Sequence, residues 1–196
     1  MGSGKQDPTS ADCVLEIRQK EQSFLESGPA KANEIALILS KLKLNSKDPS
    51  KESVPVILAA IHSLRRIFVH LFHENQISKK SIDKLRQQNE LCPENPKKKK
   101  QKHDGQKEKT ATEKYTQWLE EQYIKYVDKL GEVVSCERKG ISVQAPALRT
   151  LAECARLEAA SAAPPGRGLA HNRALRLALR AALAGGAAAR EVLVEE

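Results

Sequence analysis

The residues best suited to chemistry in this chain are basic. Lys97, Lys98, Lys99, Lys100 and Lys102 crowd into the run KKKKQK. Clustered lysines in an extended, solvated segment suit recognition as a nuclear import signal, contact with RNA phosphates without sequence preference, or plain solvation of a linker. Arg173, Arg176 and Arg180 recur at three- and four-residue steps and form a ridge on one side of a helix. Such a ridge is either a solvated face or a phosphate contact. His70 and His73 have a ligand-like spacing beside His62, yet no acidic or cysteine cluster is placed to complete a metal site. Gly2-Ser3-Gly4-Lys5 is a fragment of a phosphate loop without the full glycine spacing or a preceding strand. No Ser/His/Asp or Cys/His arrangement, carboxylate pair or nucleotide fingerprint is present, so no catalytic residue, no cofactor and no metal is expected.

The elements that must carry these residues read as helices throughout. Helical periodicity recurs along the 196 residues, while alternating β-branched runs are lacking. With only three Phe, three Tyr and one Trp, the core is expected to rest on Leu, Ile, Val and Ala. A net charge of +8 favours an acidic partner, nucleic acid first. The four cysteines lie far apart and suit reduced thiols better than a disulfide framework. Val54–Phe72 is the longest apolar stretch, but His62, Arg65, Arg66 and His70 interrupt it. No membrane span and a soluble protein are therefore expected.

In chain order, residues 1–9 are expected to be disordered. Residues 10–92 form an N-terminal helical segment. Ser10 or Thr9 caps a first helix carrying Val14, Ile17, Phe24 and Leu25, which breaks at Ser27-Gly28-Pro29. A second helix with Ile35, Ile38, Leu39 and Leu42 runs to about Leu44, and Asp48-Pro49 marks a turn. The third helix, capped by Ser50, has the wide face Val54, Ile57, Leu58, Ile61, Leu64, Phe68, Leu71 and Phe72, which suits packing on two sides. A short helix with Ile82 and Leu85 follows. Residues 93–112 read as a disordered, lysine-rich linker.

Residues 113–196 form a second helical segment, expected to be truncated. Thr110 and Glu113 have capping-box spacing. Tyr115, Trp118, Leu119, Gln122, Tyr126, Leu130 and Val133 make one stripe, with Glu120, Glu121, Lys125, Asp128 and Lys129 mostly on the remaining surface. After a turn at Cys136–Gly140, a helix entered through Pro146 carries Leu148, Leu151, Cys154 and Ala155. Two stripes on a short connection imply an antiparallel pair, with Tyr115, Trp118, Leu130, Leu148 and Leu151 as its core. The fold class expected is all-α, with antiparallel helix pairs stacked as an irregular HEAT/armadillo-like solenoid.

The runs EKYTQWLEEQYIKYVDKLGEVV and ISVQAPALRTLAECARLEA resemble the N-terminal region of the nucleolar complex protein 4 family. The matching positions are Lys114, Tyr115, Trp118, Gln122 or Tyr123, and Leu130, then Ala147, Leu148, Leu151, Leu157 and Glu158. His171–Leu183 is similar to the family's next helix, although His171-Asn172 stands where a Phe-Pro-like start is common. The resemblance implies a non-catalytic helical-repeat scaffold of the nucleolus that acts in small ribosomal subunit assembly. It also implies nucleolar assembly factors, nucleolar protein 14 among them, as partners, and contact with pre-ribosomal RNA. No membrane and no small-molecule substrate is implied. Two alternatives stay open: a direct RNA-binding helical module using its Lys/Arg patches, and a generic helical-repeat adaptor.

Overall fold

The structure, a computed structural model, describes residues 9–42, 54–77, 82, 110–135 and 141–161. These are all-α: no strand occurs among the described residues. Helix α1 (Ser10–Ser27) starts on a capping box. Thr9 Oγ1 accepts from the Asp12 backbone N–H at 3.2 Å, and the Asp12 carboxylate accepts from the Thr9 backbone N–H at 3.0 Å. The hydroxyl and backbone N–H of Thr9 hold the Asp12 carboxyl below its ordinary range. The helix ends at Gly28, whose φ of +55° is strained for an L residue and available to glycine.

A 3₁₀ turn over Gly28–Lys31 reverses the chain into α2 (Asn33–Ser40). Lys20 pairs with Glu34 at 3.2 Å and Lys41 with Glu16 at 3.4 Å, so α1 and α2 run antiparallel. Ile17, Phe24, Ile35, Ile38 and Leu42 are buried as their spacing requires, and Leu39 is half-buried. Leu25 departs from expectation: it is 40% exposed. It sits one residue past Phe24, about 100° around the helix from the buried line. The regular part of α2 also ends sooner than the expected Leu44.

Helix α3 (Val54–His73) is the centre of the molecule. It contacts α1 and α2 on one flank, and α4 (Ala111–Ser135) and α5 (Ile141–Ala160) on the other. Its buried residues include Ile57, Ile61, Leu64, Ile67, Phe68, Leu71 and Phe72, an arc wider than a single neighbour would cover. By length and composition alone this helix is apolar enough to cross a membrane. Here 44% of that stretch is buried, its apolar arc packed into one continuous core.

The second hairpin pairs α4 with α5. Thr110 and Glu113 form the expected capping box, at 2.8 and 3.2 Å. Gln144 Nε2 donates to the Val134 carbonyl at 3.2 Å near the connection, and Tyr123 Oη donates to Glu158 at 2.9 Å near the far end. That register makes the pair antiparallel.

Three expectations need correction here. Helix α5 begins at Ile141, so Pro146 lies within it rather than at its start. The missing N–H deprives the Ser142 carbonyl of a helical partner, but Ser142 is exposed and open to hydration. Glu120 is buried, not on the surface, because α4 is covered by more than α5. Tyr115 and Trp118 lie half-buried at the margin of the core, not at its centre. In the antiparallel register Tyr123 already faces Glu158, so the turns before it pass beyond the last turn of α5. The core positions Leu130, Leu148 and Leu151 are at most 2% exposed. Phe68 and Phe72 of α3 meet Tyr123 edge-on, and Phe68 stacks on Tyr126, each with centroids 5.2 Å apart.

Candidate functional site

Two polar constructions stand out among the described residues. The first locks α1 to α3. Glu21, only 7% exposed, accepts hydrogen bonds from the Ser63 hydroxyl at 2.6 Å and from Nη2 of Arg66 at 2.6 Å, and is held by the Arg66 Nε as well. Burial pushes the Glu21 carboxyl up. The hydrogen bonds from Arg66 and Ser63, with the charges of Arg66 and Arg18, outweigh it and leave the group below its ordinary value. The result is a polar staple within an otherwise apolar helix contact.

The second is a groove of about 550 Å³ between α3 and α5. His62 and Arg65 line it from α3. Arg149, Glu153 and Arg156 line it from α5, at spacings that put all three on one face of that helix. Arg65 makes an ion pair with Glu153 across the groove, with a second contact from its Nη2 at 3.4 Å. Pro146 and Ala152 are the apolar part of the lining. Thr150 also borders the groove, but its hydroxyl donates to the Pro146 carbonyl at 2.8 Å. His62 is half-buried; burial first, then the charges of Arg65 and Arg66, lower its pKa and keep the imidazole neutral at physiological pH.

Arg65, Arg149 and Arg156 bring three guanidinium groups to the groove and Glu153 one carboxylate. Planar, forked donors of this kind match carboxylate and phosphate oxygens. Sequence reading missed this site. Arg149, Glu153 and Arg156 are legible as one helical face, but nothing in the sequence places Arg65 opposite them.

The sites expected from sequence fare unevenly. Lys97, Lys98, Lys99, Lys100 and Lys102 lie outside the described residues, as do Arg173, Arg176 and Arg180. Tyr115 and Trp118 stack on each other with centroids 6.4 Å apart. His70 and His73 are exposed on the last turns of α3, and no group of three or more potential metal ligands forms among the described residues. Cys154 is buried beside Tyr123 and Glu158; burial chiefly pushes its thiol up to about 12, so it stays protonated and unreactive at neutral pH.

No protein-family model matches this chain, and no curated protein or solved structure matches it.

Proposed function

We propose that this chain is a non-catalytic helical scaffold of ribosome biogenesis, acting in small-subunit assembly and pre-ribosomal RNA processing in the nucleolus. Its helix pairs would belong to an irregular HEAT/armadillo-like array, with nucleolar assembly factors such as nucleolar protein 14 as partners.

What supports the reading is the resemblance to the nucleolar complex protein 4 family, together with where the residues that carry it sit. Of the positions that carry it, Tyr123, Leu130, Ala147, Leu148, Leu151, Leu157 and Glu158 are buried, Tyr115 and Trp118 are half-buried and Lys114 is exposed, and the Tyr123–Glu158 hydrogen bond closes the far end of the seam. A sequence pattern spent on internal packing leaves the outer helix faces to meet partners.

Two experiments test the reading. A tagged chain is expected to accumulate in nucleoli and to co-purify with small-subunit assembly factors. Cytoplasmic partners alone would refute it in favour of a generic adaptor. Replacement of Lys97, Lys98, Lys99 and Lys100 by alanine is expected to shift the protein toward the cytoplasm, and unchanged nuclear accumulation would remove the import role of the lysines.

A further inference from the structure

We infer that His62 is a proton-sensitive weak point between α3 and α5: in mild acid its imidazole takes up a proton and α5 loosens from α3. The device is built into the groove between the two helices. It does not depend on the assembly role proposed above.

His62 sits half-buried in the groove wall, and Arg65 and Arg66 follow it on α3 at the spacings that bring side chains together on a helix. Opposite stand Arg149, Glu153 and Arg156 of α5. Glu153 is the carboxylate of that wall, and Arg65 engages it through an ion pair and a second contact at 3.4 Å. A proton on His62 therefore has two outcomes. In one, the imidazolium draws Glu153 toward itself, which trades one link between the helices for another and strips Arg65 of its partner. In the other, it stays as a further positive charge beside Arg65 and Arg66 in a half-dry site. Neither offsets the cost of charging the ring there.

The charges on the other helices around α3 are committed elsewhere. Glu21 of α1 is held by Ser63 and Arg66, with the charge of Arg18 nearby. Glu34 of α2 pairs with Lys20, and Lys41 just past α2 pairs with Glu16. Tyr126 of α4 donates to the Ile61 carbonyl, next to His62 in the chain, and burial keeps that hydroxyl neutral. In the fold, burial first and then Arg65 and Arg66 hold the His62 imidazole below 6.5. The unfolded chain carries an ordinary imidazole and binds more protons in that range. The contact is thus at full strength above 6.5 and weakens as pH falls through 6.5 toward the lower value of the folded state.

The test is amide hydrogen exchange of the full chain, read by mass spectrometry between about pH 7.5 and about pH 5 and corrected for the intrinsic pH dependence of exchange. Peptides from α5 are expected to lose protection as the pH falls, while peptides from α1 keep theirs. In His62→Gln that acid loss is expected to vanish. In Arg65→Gln it is expected to shrink, because a neighbouring positive charge is gone and Glu153 is free to take the imidazolium. Damage to packing alone would instead lower protection equally at both ends of the pH range. The His62 ring signal in NMR, assigned by its absence from His62→Gln, is expected to titrate below 6.5. An α5 loss that persists unchanged in His62→Gln, a loss shared equally by α1 and α5, or a His62 ring that titrates at or above 6.5 would each overturn the inference. These readouts concern one contact, whereas co-purification concerns the assembly role, so the two can fail separately.

Discussion

Removal of Arg66 probes the polar staple between α1 and α3 most directly. Arg66→Ala leaves the Glu21 carboxylate buried at 7% exposure with Ser63 as its remaining close donor. Breaking a buried pair by deleting one partner costs about 3–5 kcal/mol. Here the Arg66 side chain is 54% exposed, so solvent already screens part of the attraction, and about 2–3 kcal/mol is the better expectation. Glu21→Gln is expected to cost less, about 1–2 kcal/mol, because the amide can still accept from Ser63 while the exposed Arg66 turns to water. The two variants also differ in their response to acid. In wild type the Glu21 carboxyl is held below 4.5, so its contribution is complete above that value and is lost as pH falls through the lowered one. Without Arg66, burial dominates and the carboxyl rises; the variant then recovers relative to wild type as pH drops from about 7 toward about 4.5. Urea unfolding of the full chain, followed by circular dichroism across that range, measures both effects. Equal costs for the two variants, or an Arg66→Ala deficit that does not shrink in acid, would refute the account of the staple.

The remaining expectations concern the α3–α4–α5 core. Tyr123→Ala is expected to cost about 3–5 kcal/mol as a fully buried aromatic, and Trp118→Ala about 1–2 kcal/mol as a half-buried one; the reverse order in thermal melts would contradict the core boundary. Tyr126→Phe removes the 2.8 Å bond from its hydroxyl to the Ile61 carbonyl and is expected to cost about 1 kcal/mol in denaturant titration. Burial, the largest cause, raises Tyr123 and Tyr126 well above 10.0, so both stay neutral in the fold while the unfolded chain ionises. Stability is therefore expected to fall as pH rises above that value, and less steeply in Tyr126→Phe. Cys154 is expected to resist iodoacetamide in the folded chain and react only in denaturant, as read by mass spectrometry of the peptide that carries it.

Much of the fold was legible because helix signals are local. The Thr9 and Thr110 caps, the break at Gly28 and the broad face of α3 each follow from a few neighbouring residues, and each is found where expected. What escaped depends on a partner far along the chain. Glu120 is polar on a helix that one neighbour would leave exposed, and its burial follows only once α4 is covered on more than one side. Trp118 has the type and spacing of a core residue, yet the antiparallel register carries it past the end of α5. Pro146 resembles a helix start by residue type, whereas Ile141, where α5 begins, carries no comparable signal. The groove escaped for the same reason: Arg65 and Glu153 are separated by 88 positions, and periodicity carries no information across that span.

The same separation governs the order in which the protein can be made. Helix α3 leaves the ribosome with α1 and α2 ready to shelter one flank, but the cover for its other flank is encoded far downstream. At roughly 5–20 residues per second, the interval between Arg65 and Glu153 takes on the order of 4–18 s to synthesise. Until Tyr123 and Tyr126 are made, Phe68 and Phe72 lack the tyrosines that later enclose them. The nascent chain therefore presents a sticky half-built core to every chaperone near the exit tunnel, and a ribosome stalled in that interval would release an aggregation-prone product.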